Sequence, residues 1–409
     1  MISPHRSPAD DPHADAATLY GPRFQNNPAQ VYREMRRKHG AVAPVLLEGG
    51  VPAWCVLGYR EVHHVTSNPG LFGRDSRRWN CWNAVSHDWS LRPYVAYQPS
   101  VAFTEGDEHR RRGGALAEAL ADVDEFELRT QVERICDRLI DGFAGRGEAD
   151  LIAEYTHQIP LLALLKIYGL REDEAPPLIR DVARSGEEGE EAIQAHERIV
   201  ARMLKLAKEK RRNPGRDVPS FLQAHPVGFT DHEIATDLFV TMGAGYLTTS
   251  DWIGNAIRLM LTDERFAVTL SGGRRSVGQA LDEVLWEDTP TQNFVGRWAT
   301  QDTWLGGQRI REGDLLVLGL AAANTDPLVR PDCGTGTVGN QAHLSFSHGE
   351  HGCPFPAQEI ARLITTTSIE VLLDRLPDVA LAVAPDALVW RPSVWMRGLT
   401  ALPVTFTGC

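Results

Sequence analysis

The sequence predicts a mainly α fold with a small β region. Helical apolar spacing dominates the chain, most plainly across Asp231–Leu261, about 30 residues without a proline. β-type runs are short: Val42–Leu46, Ala53–Leu57, Arg297–Ala299, Leu315–Leu318 and brief segments near the C-terminus. No internal repeat interrupts this pattern.

The elements follow in order. Pro28–Lys38 is expected to be helical, with Asn27 as N-cap, Pro28 at the first helical position and Gly40 as the stop. After the two early strands, residues 69–103 have no clear period and read as a long loop, a feature that is usually functional in a compact protein. Its rings, Trp79, Trp82, Trp89, Tyr94 and Tyr97, either pack the loop onto the core or face a ligand. Gly106–Leu170 is helical with Gly and Pro breaks, and residues 172–212 read as a solvated, charged helix pair. The long segment 231–261 has Asp231 as a plausible N-cap and Gly243-Ala244-Gly245 at its middle. Glycine costs about 1 kcal/mol in a helix interior, so its presence there suggests something packed close to the backbone. A short helix at 276–287 and a final one from Pro356 to Leu373 complete the reading.

Composition bounds the function. The 409 residues are 43% hydrophobic and 23% charged, which excludes disordered and fibrous classes. With 42 basic and 54 acidic residues the net charge is −12, which argues against a nucleic-acid binder. Cys55, Cys81, Cys136, Cys333, Cys353 and Cys409 form no C-x-x-C pair and read as reduced thiols. The polar, Pro-rich start has no secretory pattern, and the longest clean apolar run, Leu315–Ala323, is far short of the ~18 residues of a membrane span. The expectation is a soluble cytoplasmic protein.

The informative segment is Phe346-Ser347-His348-Gly349-Glu350-His351-Gly352-Cys353-Pro354-Phe355-Pro356. A thiolate ahead of a helix start is favoured by unpaired N–H groups and the positive end of the dipole, which suits a metal ligand. A buried structural cysteine, or a zinc site of His348, His351 and Cys353, are the alternatives, although no second ligand pair recurs for zinc.

Phe346-x-x-Gly349-x-x-x-Cys353 resembles the haem-binding loop of the cytochrome P-450 superfamily, F-x-x-G-x-x-x-C-x-G. Other landmarks agree in order: Ala244-Gly245-Tyr246-Leu247-Thr248-Thr249 resembles the oxygen-binding helix motif A-G-x-[D/E]-T-T, and Glu108-His109 with Arg110–Arg112 resembles the helix that reaches a haem propionate. Arg297-x-Ala299, the run Leu320 to Pro327 and Arg397 to Val404 also match family segments. The resemblance implies a P-450 fold over residues 20–409, one domain with a small β-rich lobe and a large α-helical lobe, preceded by a flexible tail at 1–19. It implies haem b held by Cys353 as the thiolate metal ligand, which pushes electron density onto iron and favours O–O cleavage. It also implies His351, Arg297, His109 and Arg112 near the propionates, Phe346, Gly349 and Ala244 around the cofactor, and Gly245, Leu247 and Thr248 as catalytic positions. Arg112 enters because Gly113 stands where the family usually has arginine.

Three departures stand out. The family's E-x-x-R reads Glu283-Val284-Leu285-Trp286, resembling a bacterial subgroup with E-x-V-L-W, and 331–339 lacks the family's P-x-R-F. Losing both arginines leaves neither as an unpaired buried charge. Phe355 replaces the glycine two residues after the cysteine, so it must point away or stack on the ring. Leu247 replaces the acid before Thr248; Asp251 is either a substitute or an ion-pair or cap partner. The expected substrate contacts are Trp82, Trp89, Tyr97, Tyr246, Phe294, Val295, Trp395 and Met396. An aromatic-rich pocket and the missing acid together favour oxidative crosslinking of an aromatic or peptide-like secondary metabolite. Hydroxylation of a small molecule, and a haem-fold binding protein without turnover, are the alternatives. A monomer drawing electrons from a ferredoxin and its NAD(P)H-dependent reductase is implied.

Overall fold

The computed structural model describes residues 12–185, 190–263, 275–330 and 340–408. Helices make most of it. Four position the site: α1 (Gly106–Ala121), α2 (Asp231–Thr262), α3 (Arg275–Glu287) and α4 (Phe355–Arg375). At 1.5 Å per residue, α2 runs roughly 48 Å, enough to cross the whole helical lobe. Its start differs from expectation by one residue. Thr230 is the N-cap, in a reciprocal capping box with Glu233, which frees Asp231 to pair with Arg211.

The helix at Pro28–His39 starts as expected: the Asn27 side chain accepts from the Gln30 N–H, and Gly40 closes it at φ +82°. A six-stranded sheet runs Ala17–Thr18, Val42–Leu47, Val51–Val56, Leu315–Leu318, Phe294–Ala299, Phe72–Gly73. Val51–Val56 pairs parallel with Leu315–Leu318, so the two ends of the sequence meet in one sheet. Residues 17–19 are therefore not a free tail: Ala17 and Thr18 pair with Val45 and Leu46, and Leu19 is buried. Residues 1–11 lie outside the described residues.

Two apolar layers matter for the site. One gathers α1, α2, α3, α4 and the helix Ile159–Ile167. The other packs the loop rings onto the sheet. Among the described residues no helix is long and apolar enough to cross a membrane.

Candidate haem and oxygen site

A cavity of about 540 Å³ lies between α2 and the loop leading into α4. Cys353 sits on one wall, and Ala244, Gly245 and Thr248 on the wall formed by α2. These α2 residues share a face with Thr241 and Trp252, at spacings of three and four, as a 3.6-residue period requires. The Thr248 hydroxyl donates to the Ala244 carbonyl at 2.5 Å. The glycines of α2 leave room for the cavity: an added Cβ at Gly243 would meet nothing, and at Gly245 only Leu164 at 3.6 Å.

Local backbone bonds shape the cysteine loop. The Cys353 N–H donates to the Phe346 carbonyl at 2.9 Å, Gly352 to Gly349 at 2.9 Å, and Ser347 to Leu344 at 2.7 Å. Gly349 has φ +75°, and a Cβ there would stand 2.2 Å from the Thr66 carbonyl oxygen. Both problems are backbone problems, so Gly349→Ala is expected to cost roughly 1–3 kcal/mol or more and to lower haem retention. Melting temperature and haem content of the purified variant check this; wild-type values for both would contradict it. The Cys353 thiol departs from expectation. Burial pushes it up to about 12, and its one polar neighbour among the described residues is the Pro354 carbonyl at 3.9 Å. Desolvation outweighs the start of α4, so a bound cation is what would hold a thiolate here.

Basic side chains gather at and behind one end of the cavity. His351 has both ring nitrogens buried without a partner among the described residues, as are Nε and Nη2 of the fully buried Arg297. Burial first, then the charges of His109, Arg297 and Arg74, drive His351 down to about 2. Arg74 lines the cavity and is anchored by the carbonyls of Ala102, Val295 and Gly296. The carboxylate whose charge reaches both arginines, Glu105, is committed to Arg78 and to backbone N–H groups. Glu350, the carboxylate lining this end, pairs with Arg110 at 3.5 Å, and the orphaned donors of Arg297 and His351 fit the propionates of haem. Sequence reasoning missed Arg74; its neighbours come from segments far along the chain, and no local pattern marks it.

Two expected partners of this end are placed otherwise. Arg112 is buried against Asp237, with Nη2 2.6 Å from Oδ1, and does not line the cavity. Its counter-ion lies 125 positions away, beyond any local spacing argument. His109 does line the cavity, but its ring nitrogens lie 2.9 Å and 3.0 Å from the carbonyls of Val101 and Glu350. It ties α1 to the cysteine loop. A zinc site of His348, His351 and Cys353 is not gathered: His348 stacks on His63 at 4.2 Å. The cluster that does form is His109, Glu350 and His351.

On α2, Leu247 and Tyr246 turn off the cavity face. Leu247 is half-buried, and Tyr246 packs edge-on against His157 at 6.2 Å. Asp251 is an ion-pair partner, 2.6 Å from Arg391 and pushed up to about 6 by burial. Of the expected substrate contacts, Phe294 lines the cavity. Trp82, Trp89, Tyr97, Val295, Trp395 and Met396 pack in the layer over the sheet instead. Trp89 Nε1 donates to the Glu48 carbonyl, Trp82 Nε1 to Ser76, and Tyr97 lies under Arg77. The rings fasten the long loop. The cavity lining also includes the aliphatic side chains of Val240, Leu164, Ile167 and Leu116, together with Tyr168. Val240 was legible, four residues before Ala244 on the same helix. Phe355 points to solvent, 70% exposed, which settles its direction.

No protein-family profile matches the chain. The chain is 29% identical over 386 residues to cytochrome P-450 107B1 of Saccharopolyspora erythraea, covering 91% of this chain and 94% of the relative. It is 28% identical over 406 residues to the polyketide biosynthesis cytochrome P-450 PksS of Bacillus subtilis, covering 95% and 98%. Among solved structures, testosterone-bound CYP154C4 from a Streptomyces species superposes with a TM-score of 0.86 at 25% identity, covering 96% of this chain and 98% of that one. A P-450 in complex with an acyl carrier protein carrying hexadec-9Z-enoic acid superposes at 0.80 and 25% identity, covering 94% and 100%. Fold and relatives together define a haem-thiolate oxidoreductase of the monooxygenase type. Over nearly its whole length the chain is similar to bacterial members of the cytochrome P-450 superfamily and shares their fold.

Proposed function

We propose that this protein inserts oxygen into an apolar small molecule of secondary metabolism, with Cys353 as the proximal ligand of haem. The observation that carries the reading is the cavity: Cys353 and Thr248 both line it, with a largely apolar lining that includes Val240, Leu164, Ile167 and Leu116. When bound, haem supplies the activation of dioxygen. The rest falls to this chain's residues. His351, Arg297 and Arg74 bind the cofactor's carboxylates. Thr248 holds a hydroxyl at the wall of α2, and Val240, Leu164 and Ile167 exclude water and seat the substrate. One oxygen atom enters a C–H bond and the other leaves as water, using two electrons and two protons. A ferredoxin with its NAD(P)H-dependent reductase supplies the electrons to a monomer. The relative named for polyketide biosynthesis supports a secondary-metabolite substrate.

Oxidative coupling of aromatic groups is the second reading. It draws support from Leu247, which puts no ionisable group where the motif has an acid. Coupling takes its protons from phenol or indole and needs that acid less. Its other support, an aromatic pocket, is weaker than expected: Trp82, Trp89, Tyr97 and Trp395 pack over the sheet, while Phe294, Tyr168, Trp252 and Phe346 line the cavity. Turnover of apolar candidate substrates under isotopically labelled dioxygen separates the readings. Product carrying one labelled atom is the expected result. Product lacking two hydrogens and unlabelled contradicts hydroxylation and supports coupling. Binding with no product and no cofactor oxidation contradicts both and leaves a binding protein.

A further inference from the structure

The position where the family carries arginine holds Trp286, and the structure gives this ring a set of contacts that leads to the cysteine. Trp286 is fully buried near the end of α3. Its Nε1 donates to the Asn340 carbonyl at 2.9 Å. One side of the indole meets the Arg330 guanidinium, whose central carbon lies 5.2 Å from the ring centroid. Arg330 is itself paired with Glu287 at 2.7 Å. The other contact is the His343 ring, edge-on at 5.9 Å and 89°. His343 is buried, its ring nitrogens have no partner among the described residues, and burial with nearby Arg362 holds it down at about 4. It acts as a neutral ring. From His343 the contacts continue to Phe346 at 5.8 Å, and from Phe346 to Trp252 at 5.8 Å. Phe346 and Trp252 line the cavity, and the Phe346 carbonyl accepts the Cys353 N–H.

Hydrogen bonds run beside this ring series. The Leu285 carbonyl accepts from Ser345 Oγ and from Asn324 Nδ2, and Asn324 Oδ1 accepts the Leu344 N–H at 2.7 Å. The end of α3 thus clamps residues 340–346 twice, once by polar bonds to Leu285 and once by rings from Trp286. The polar clamp holds residues 344 and 345, and the ring series continues to Phe346, whose carbonyl accepts the Cys353 N–H.

We propose that Trp286 is a positioning residue for Cys353, acting through His343 and Phe346, so that ring packing sets the cysteine loop. This rests on the reading of Cys353 as the haem ligand. Aromatic edge-to-face pairs have preferred angles, so the series fixes orientation as well as contact. An arginine over one indole face adds a cation–π contact that holds the ring from behind.

The test compares Trp286→Leu and Trp286→Phe in the haem-loaded protein, reading the ratio of thiolate to non-thiolate ferrous–CO complex beside the melting temperature. Leucine removes the ring; phenylalanine keeps a ring and loses only the bond to Asn340. For leucine the ratio is expected to fall about fivefold, the change that one aromatic pair gives. Phenylalanine should restore most of it. An unchanged ratio with a lowered melting temperature would overturn the proposal and leave Trp286 as packing alone. Equal losses in both variants would also overturn it, because the Asn340 bond rather than the ring would then carry the effect. Should Trp286→Leu fail to fold, His343→Ala against His343→Phe asks the same question one ring further on, with the same expected and contrary results. A wild-type protein without any thiolate complex would instead sink the Cys353 assignment, and the proposal with it.

Discussion

Cys353→Ser is expected to remove substrate turnover and the thiolate ferrous–CO spectrum while leaving part of the haem bound. The first effect follows from chemistry: a thiolate donates electron density that a serine hydroxyl cannot, and O–O cleavage depends on it. The second follows from the geometry. His351 and Arg74 line the cavity end, Arg297 lies close enough for its charge to act on His351, and none of the three depends on the sulfur to hold a propionate. The substitution is small and the loop bonds to Cys353 are backbone bonds, so the fold should survive. Haem content, carbon monoxide difference spectra and turnover, measured on matched preparations, check each part. A serine variant with an unchanged spectrum would remove Cys353 from the site.

Trp286→Arg is the second large effect. Restoring the family's arginine is expected to destabilise this chain by about 3 kcal/mol or more, because it places a cation in a buried apolar site. The structure sharpens the reason. Arg330 already lies against the indole, so the new guanidinium would meet a like charge where it now meets a π face. It would also lose the Nε1 bond to Asn340 and the edge contact with His343. Thermal unfolding monitored by circular dichroism measures the cost. A melting temperature at or above wild type would show that the site still accommodates arginine.

The parts of the fold that read clearly from sequence were those set by local rules. The helix of 231–262 shows its period and its length, the Asn27 cap and Gly40 stop hold to the residue, and the glycine-rich cysteine loop announces itself by composition. The cavity face of α2 was half legible: Ala244, Gly245 and Thr248 line it, whereas Leu247 and Tyr246 do not, because motif membership is not helix phase. What sequence could not give was set by partners far along the chain. Arg112 looked free for a propionate until Asp237 took it, and Arg74 drew its role from Val295 and Gly296. The loop rings were ambiguous for the same reason. A tryptophan that fastens a loop and one that touches a ligand have the same spelling, and only the sheet beneath them decides.

The central claim is that haem iron in the cavity between α2 and α4 is bonded to the sulfur of Cys353. Iron-edge X-ray absorption on the haem-loaded protein tests it most directly. The account predicts one sulfur atom in the iron coordination shell of the wild type and none in Cys353→Ser. A wild-type shell of nitrogen and oxygen alone would contradict it.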